Sequence, residues 1–276
     1  MTHIPTISNV LSTHTDGTLY LIFDPLRNSK ANEFWQTVQH DHLGLSVEDL
    51  TIPKTNFRAQ VYMPDPEVFG ENAKPTLVFK GTSFTSGTDW WHGNLTQGMG
   101  LESKYYRQAV DIGQKILDTG RQVDITGHSL GGGLASAASK ASSMTATTFN
   151  AAGLHYDTVE KYGVPKALQG ADELITRYRI TGEILTYAQE NIPLVNLMPD
   201  AVGTITQNLV APRTLDVLAL SVGSALGIKS GIVLGITGYL AVKAYEKVDL
   251  HSMGRITQAI ETRKVQDLHL LAKESN

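Results

Sequence analysis

The sequence predicts an α/β fold in which a mostly parallel sheet is covered by helices on both faces. Three observations carry this: short apolar β-rich runs alternate with helix-spaced segments, one such run enters a Gly-x-Ser-x-Gly turn, and a small-residue helical stretch follows that turn directly. The 276 residues are 41% hydrophobic and 18% charged, which suits one large core or two closely joined lobes, and a single domain is expected. A formal net charge of -4, with Lys and Arg scattered, leaves no basic footprint for nucleic acid. The absence of cysteine excludes disulfides and thiolate metal sites, so the fold rests on its core.

Taken in order, residues 1–50 carry no long repeat and are expected to be helix and loop leading into the main fold. Residues 57–63 alternate as a strand does and are closed by Pro64 and Pro66. Residues 76–80 form a short buried-type run that ends on Gly81-Thr82-Ser83, a strand feeding a loop. Between 101 and 117, the apolar residues Tyr106, Ala109, Val110, Ile112, Ile116 and Leu117 share one helical face, with Gly120 placed as a C-cap. Residues 123–126 then read as a strand, and 134–143, rich in Ala and Ser, as a helix. Residues 145–149 and 174–181 are two further strand candidates.

The chemistry gathers at Gly127-His128-Ser129-Leu130-Gly131. A serine nucleophile needs an exposed hydroxyl and a backbone amide already aimed at the developing oxyanion. A tight strand-to-helix turn supplies both, with glycines where a larger side chain would strike the neighbouring strand or helix. With a strand before it and a small-residue helix after it, the turn predicts an α/β-hydrolase with Ser129 as nucleophile and the Leu130 amide as one oxyanion donor; the alternative is a purely structural turn. The second donor is expected from the loop after an earlier strand, where Thr82 stands; the alternative is that Gly81-Thr82-Ser83 is only a turn. In this fold the triad runs serine, acid, histidine. His251 and His269 follow the plausible acids; His269 sits in a charged helical stretch, whereas His251 is expected in a loop between a strand-like run and a helix capped by Ser252. Glu183, after the 175–181 strand and a glycine, is the expected acid, with Asp200 as the alternative.

The run Leu77-Val78-Phe79-Lys80-Gly81-Thr82, the pair Asp89-Trp90 and the Gly-His-Ser-Leu-Gly turn together resemble the class 3 lipases, a family of fungal triacylglycerol lipases and bacterial relatives. The likeness is good over about residues 76–134 and looser elsewhere. It implies an oxyanion role for Thr82, with Lys80 where that family usually has Arg. The match at Gly182-Glu183-Ile184-Leu185 implies an acid at Glu183, where the family usually has Asp. Leu250-His251-Ser252-Met253 is most similar to the lipase-like phospholipase toxins that bacteria deliver to competitors. That narrower resemblance implies a phospholipase A of A1 type, a lipid substrate at a membrane surface and a cognate immunity protein, with no cofactor.

Other features fit less specific roles. His40-Asp41-His42 lacks a third metal ligand and is expected to be a polar surface loop. Trp90-Trp91-His92 either lines an acyl pocket or packs under the oxyanion loop. Residues 217–242 are apolar except for Lys229, and each uncharged half is shorter than the roughly 20 residues of a membrane span. Gly223, Gly227, Gly231 and Gly235 would form a smooth ridge on a helix, so 211–243 is expected to be an apolar helical insertion, either core or a lipid-contacting lid. Residues 1–15 lack a basic start and an apolar h-region, which predicts synthesis in the cytoplasm and leaves a leaderless machine as the open route for export. Two rival functions stay open at this level: a membrane-perturbing protein working through the glycine-rich segment, and a soluble esterase for small acyl substrates.

Overall fold

The computed structural model describes residues 35–37, 43–81, 95–191, 199–211 and 246–274. Seven strands form one sheet in chain order: β1 (Trp35–Thr37), β2 (Ala59–Pro64), β3 (Thr76–Phe79), β4 (Asp124–His128), β5 (Ala146–Phe149), β6 (Ile175–Ile180) and β7 (Ile205–Leu209). The first three pair antiparallel, and β3 through β7 run parallel. The predicted mostly parallel α/β sheet is therefore present, with strands β1 and β7 added at its two edges.

Helices occupy the crossovers. Short helices α1 (Val47–Leu50) and α2 (Pro66–Phe69) flank β2. The long α3 (Leu95–Thr119) leads to β4, α4 (Leu130–Ser142) joins β4 to β5, and α5 (Thr158–Lys161) lies before β6. Two more follow the last strands, α6 (Ile184–Asn191) after β6 and α7 (Met253–Glu274) after the turn that holds His251. Parallel strands demand such crossovers, because a hairpin cannot return the chain to the same end of the sheet.

The larger core lies beneath α3 and α4. Every residue of β3 is buried, as its unbroken apolar run predicts, and Leu77 and Phe79 join Ile125, Ala146 and Ile175 there. On α3 the predicted face is buried from Tyr106 to Ile116, but Leu117, in the last turn, is 45% exposed. The small residues of α4 let α3 approach closely: a Cβ at Gly113 would fall 2.6 Å from the Ala138 carbonyl oxygen. Two of its buried serines are satisfied by donating back to the helix, Ser136 Oγ to Gly132 O at 3.0 Å and Ser142 Oγ to Ala138 O at 2.7 Å. The smaller core, on the α7 face, is made of Phe149, Ile180, Leu209, Met253, Ile256, Ala259 and Ile260.

Candidate active site

Ser129 lies at the carboxyl end of β4, the central strand of the seven, and directly before α4. Its backbone has φ 58 and ψ -126, a conformation that a side-chain-bearing residue adopts only when its surroundings force it. The force is visible. Ser129 N–H donates to Phe149 O at 3.1 Å, while Ser129 O accepts from Ala152 N–H and Gly132 N–H, both at 2.9 Å. The flanking glycines are required by packing. A Cβ at Gly127 would lie 2.1 Å from Gly131 O, and one at Gly131 would lie 2.2 Å from Phe79 O. At the end of β3, a Cβ on Gly81 would meet His128 O at 2.5 Å, so the loop leaving that strand starts against the elbow.

Three side chains converge behind the elbow. His251 Nε2 lies 2.9 Å from Ser129 Oγ, and His251 Nδ1 lies 2.6 Å from Glu183 Oε2. All three residues are buried, Glu183 completely. Glu183 occupies the N-cap of α6: its carboxylate accepts the Leu185 N–H at 2.9 Å and the Thr186 N–H at 2.5 Å. Burial pushes its carboxyl upward, but the His251 bond and charge together with the Thr186 bonds outweigh that, and its pKa lies below the ordinary value. An ionised Glu183 can only accept, so His251 carries its proton on Nδ1 and offers the Nε2 lone pair to the serine hydroxyl.

The turn that presents His251 differs from the sequence expectation on one side. Residues 246–250 are helical rather than strand-like, since their alternation is too short to distinguish the two. On the other side Ser252 does cap α7, its Oγ accepting the Arg255 N–H at 3.3 Å. Arg255 Nε also lies 3.0 Å from Asp249 Oδ2, bracing the turn across His251. Lys247 stands over the Tyr187 ring at 3.6 Å and its ammonium donates to Gly182 O at 3.5 Å, which ties the turn carrying the histidine to the turn carrying the acid.

Of the other site candidates, Leu130 opens α4, where a first-turn N–H has no partner within its helix and stays available to an oxyanion. Thr82 lies outside the described residues, as do Trp90-Trp91-His92, His40-Asp41-His42 and the apolar segment at 217–242. Asp200 is exposed and meets neither His251 nor Ser129; its carbonyl accepts the Leu154 N–H at 3.1 Å. His269 is exposed on α7. Two residues escaped the sequence reading, His128 and Asn150. Both are buried, and both donate to the backbone of His251. The residue between the first glycine and the serine of a Gly-x-Ser-x-Gly turn carries no signal by itself, and Asn150 looks like a turn residue at a strand end. Among the described residues no group of three or more His, Asp or Glu side chains could hold a metal ion, and no helix is long and apolar enough to cross a membrane.

Comparison with known proteins adds two findings. Residues 26–232 match the model of the Tle-like phospholipase domain, a phospholipase-like family. An extracellular phospholipase A1 from Serratia liquefaciens is 34% identical over 166 residues, which is 58% of this chain and 47% of the relative. The chain thus spans about half the length of the curated relative that it matches.

Proposed function

The chain belongs to the family of the Tle-like phospholipase domain, and on that premise we propose that it is a serine-dependent phospholipase of A1 type, with Ser129, His251 and Glu183 as its triad. The observation that carries this reading is the unbroken relay from Ser129 Oγ through His251 to Glu183, at 2.9 and 2.6 Å. Ser129 attacks the acyl carbonyl while His251 Nε2 takes the hydroxyl proton. Glu183 holds the ring and stabilises the imidazolium. The negative charge that develops on the carbonyl oxygen is met by the Leu130 amide and, in the role that the sequence assigns it, by Thr82. Collapse of the tetrahedral adduct expels the lysophospholipid alcohol, which takes the proton from His251, and water then releases the fatty acid from Ser129.

The substrate assignment draws on the family and on the relative, whose name specifies phospholipase A1. That relative is also named extracellular, which supports export of this chain to lipid outside the producing cell, where an immunity protein would protect the producer's kin. The test is mass spectrometry of products from phospholipid vesicles whose two acyl chains differ in mass. Wild type is expected to release the sn-1 acid, and Ser129→Ala to lower the rate by about 10³-fold or more. Equal fatty-acid release by both proteins ends the serine mechanism; release of the sn-2 acid ends the A1 assignment. Vesicle leakage by Ser129→Ala without fatty acid would move the function to membrane perturbation.

A further inference from the structure

We infer that His128 and Asn150 are positioning residues for His251, anchoring its backbone to the strands that carry the nucleophile so that its ring meets Ser129 and Glu183 together. The inference rests on the hydrolase reading above. His128 Nε2 lies 2.7 Å from the His251 carbonyl oxygen. Asn150 Nδ2 lies 3.3 Å from the same oxygen and 3.2 Å from the Leu250 carbonyl oxygen. A carbonyl can only accept, so His128 holds its proton on Nε2 and donates it. Two side chains from the ends of β4 and β5 therefore converge on two consecutive carbonyls of a turn a hundred or more residues away in the chain.

Asn150 is well made for this. It is fully buried, with φ 41; its own N–H donates to Tyr178 O and its Oδ1 accepts the Ile180 N–H, both at 2.9 Å, so its amide is locked with the nitrogen facing the turn. His128 adds an electrostatic condition. Its ring lies 5.0 Å from that of His251, centroid to centroid. Burial, reinforced by repulsion from His251, pushes the His128 pKa down to about 3, so it donates a hydrogen bond without placing a second positive charge beside the imidazolium that acylation creates. Serine and base thus share one frame, the carboxyl ends of adjacent strands β4 and β5. Displacing a reacting group by about 1 Å costs on the order of 10²-fold in rate, which sets the scale of the effect.

The test compares His128→Leu and His128→Asn, which remove the donor or leave it short, with His128→Gln, whose Nε2 can reach the carbonyl. Expected are a kcat about 10- to 100-fold lower for Leu and Asn with KM within about twofold, and recovery to within about threefold of wild type for Gln. A second readout needs no turnover: the downfield proton NMR signal of the His251 Nδ1–H shared with Glu183 should survive in Ser129→Ala and His128→Gln and vanish in His128→Leu and His128→Asn. Wild-type kcat with an intact signal in the Leu or Asn protein overturns the inference, as does equal impairment of Gln and Asn. If wild type shows no Ser129-dependent hydrolysis, the hydrolase reading fails by itself, and the NMR series still decides whether His128 positions His251.

Discussion

Around Ser129 the chain is held by backbone packed on backbone, whereas around His251 it is held by side chains reaching across from other strands. The first region has no slack: the missing Cβ atoms of Gly127 and Gly131 leave room only for main-chain oxygens of α4 and β3. It also borders the larger core, beneath α3 and α4. The second region stands on a cluster of seven buried apolar residues and on polar ties from His128, Asn150, Asp249 and Lys247. The difference teaches where each half is vulnerable. Added volume damages the elbow, while loss of a donor or acceptor damages the placement of His251.

The largest expected effect lies on the side-chain half. Glu183→Gln keeps the shape but disturbs the acceptor that fixes the His251 tautomer, and kcat should fall about 10³- to 10⁴-fold while unfolding free energy changes by less than about 2 kcal/mol. Steady-state kinetics with urea unfolding checks both; parallel losses of rate and stability would blur the contrast. Gly127→Ala is the opposite case. Its Cβ would sit 2.1 Å from a backbone oxygen, so about 3 kcal/mol or more of stability should go together with activity. A stable but inactive Gly127→Ala protein would break the comparison.

Acid titration probes the His251 surroundings next. His128 is neutral in the folded chain down to about pH 3 but takes a proton near 6.5 when unfolded, so the unfolded chain binds more protons in that window and stability falls as the pH drops through it. Glu183, held below its ordinary 4.5, adds a further loss below that pH. Unfolding at pH 7 and about 4.5 should differ by roughly 2 kcal/mol on account of His128, and His128→Gln should remove that part. The smallest effect is expected from Ser252→Ala. Losing the α7 cap should cost about 1 kcal/mol in thermal or urea unfolding, with the Ser129 elbow untouched.

The two regions also differ in how far they were legible. The elbow could be read because its requirements are local: β4, the turn and α4 are consecutive, and glycine marks where backbone must approach. The strands β2 to β6 were readable for the same reason, each being a short apolar or alternating run. Edge strand β7, Ile-Thr-Gln-Asn-Leu, was not, since its pairing with β6 supplies what its polar composition does not. Nor was α6, whose start became plain only once the Glu183 carboxylate was seen capping it. Glu183 was named as the strand-end acid, yet a second duty as N-cap lies in geometry that no residue pattern displays.

By itself, then, the sequence determined the alternating α/β order, the strand-turn-helix at Ser129 and the chain order serine, acid, histidine, because these follow from near-neighbour sterics and hydrophobic periodicity. Only the tertiary structure decided that Glu183 rather than Asp200 meets His251, and that His128 and Asn150 grip the turn that carries it. Those contacts join residues far apart in the chain. Their partners are selected by how the parallel strands bring their carboxyl ends together, a fact of packing that no local stretch encodes.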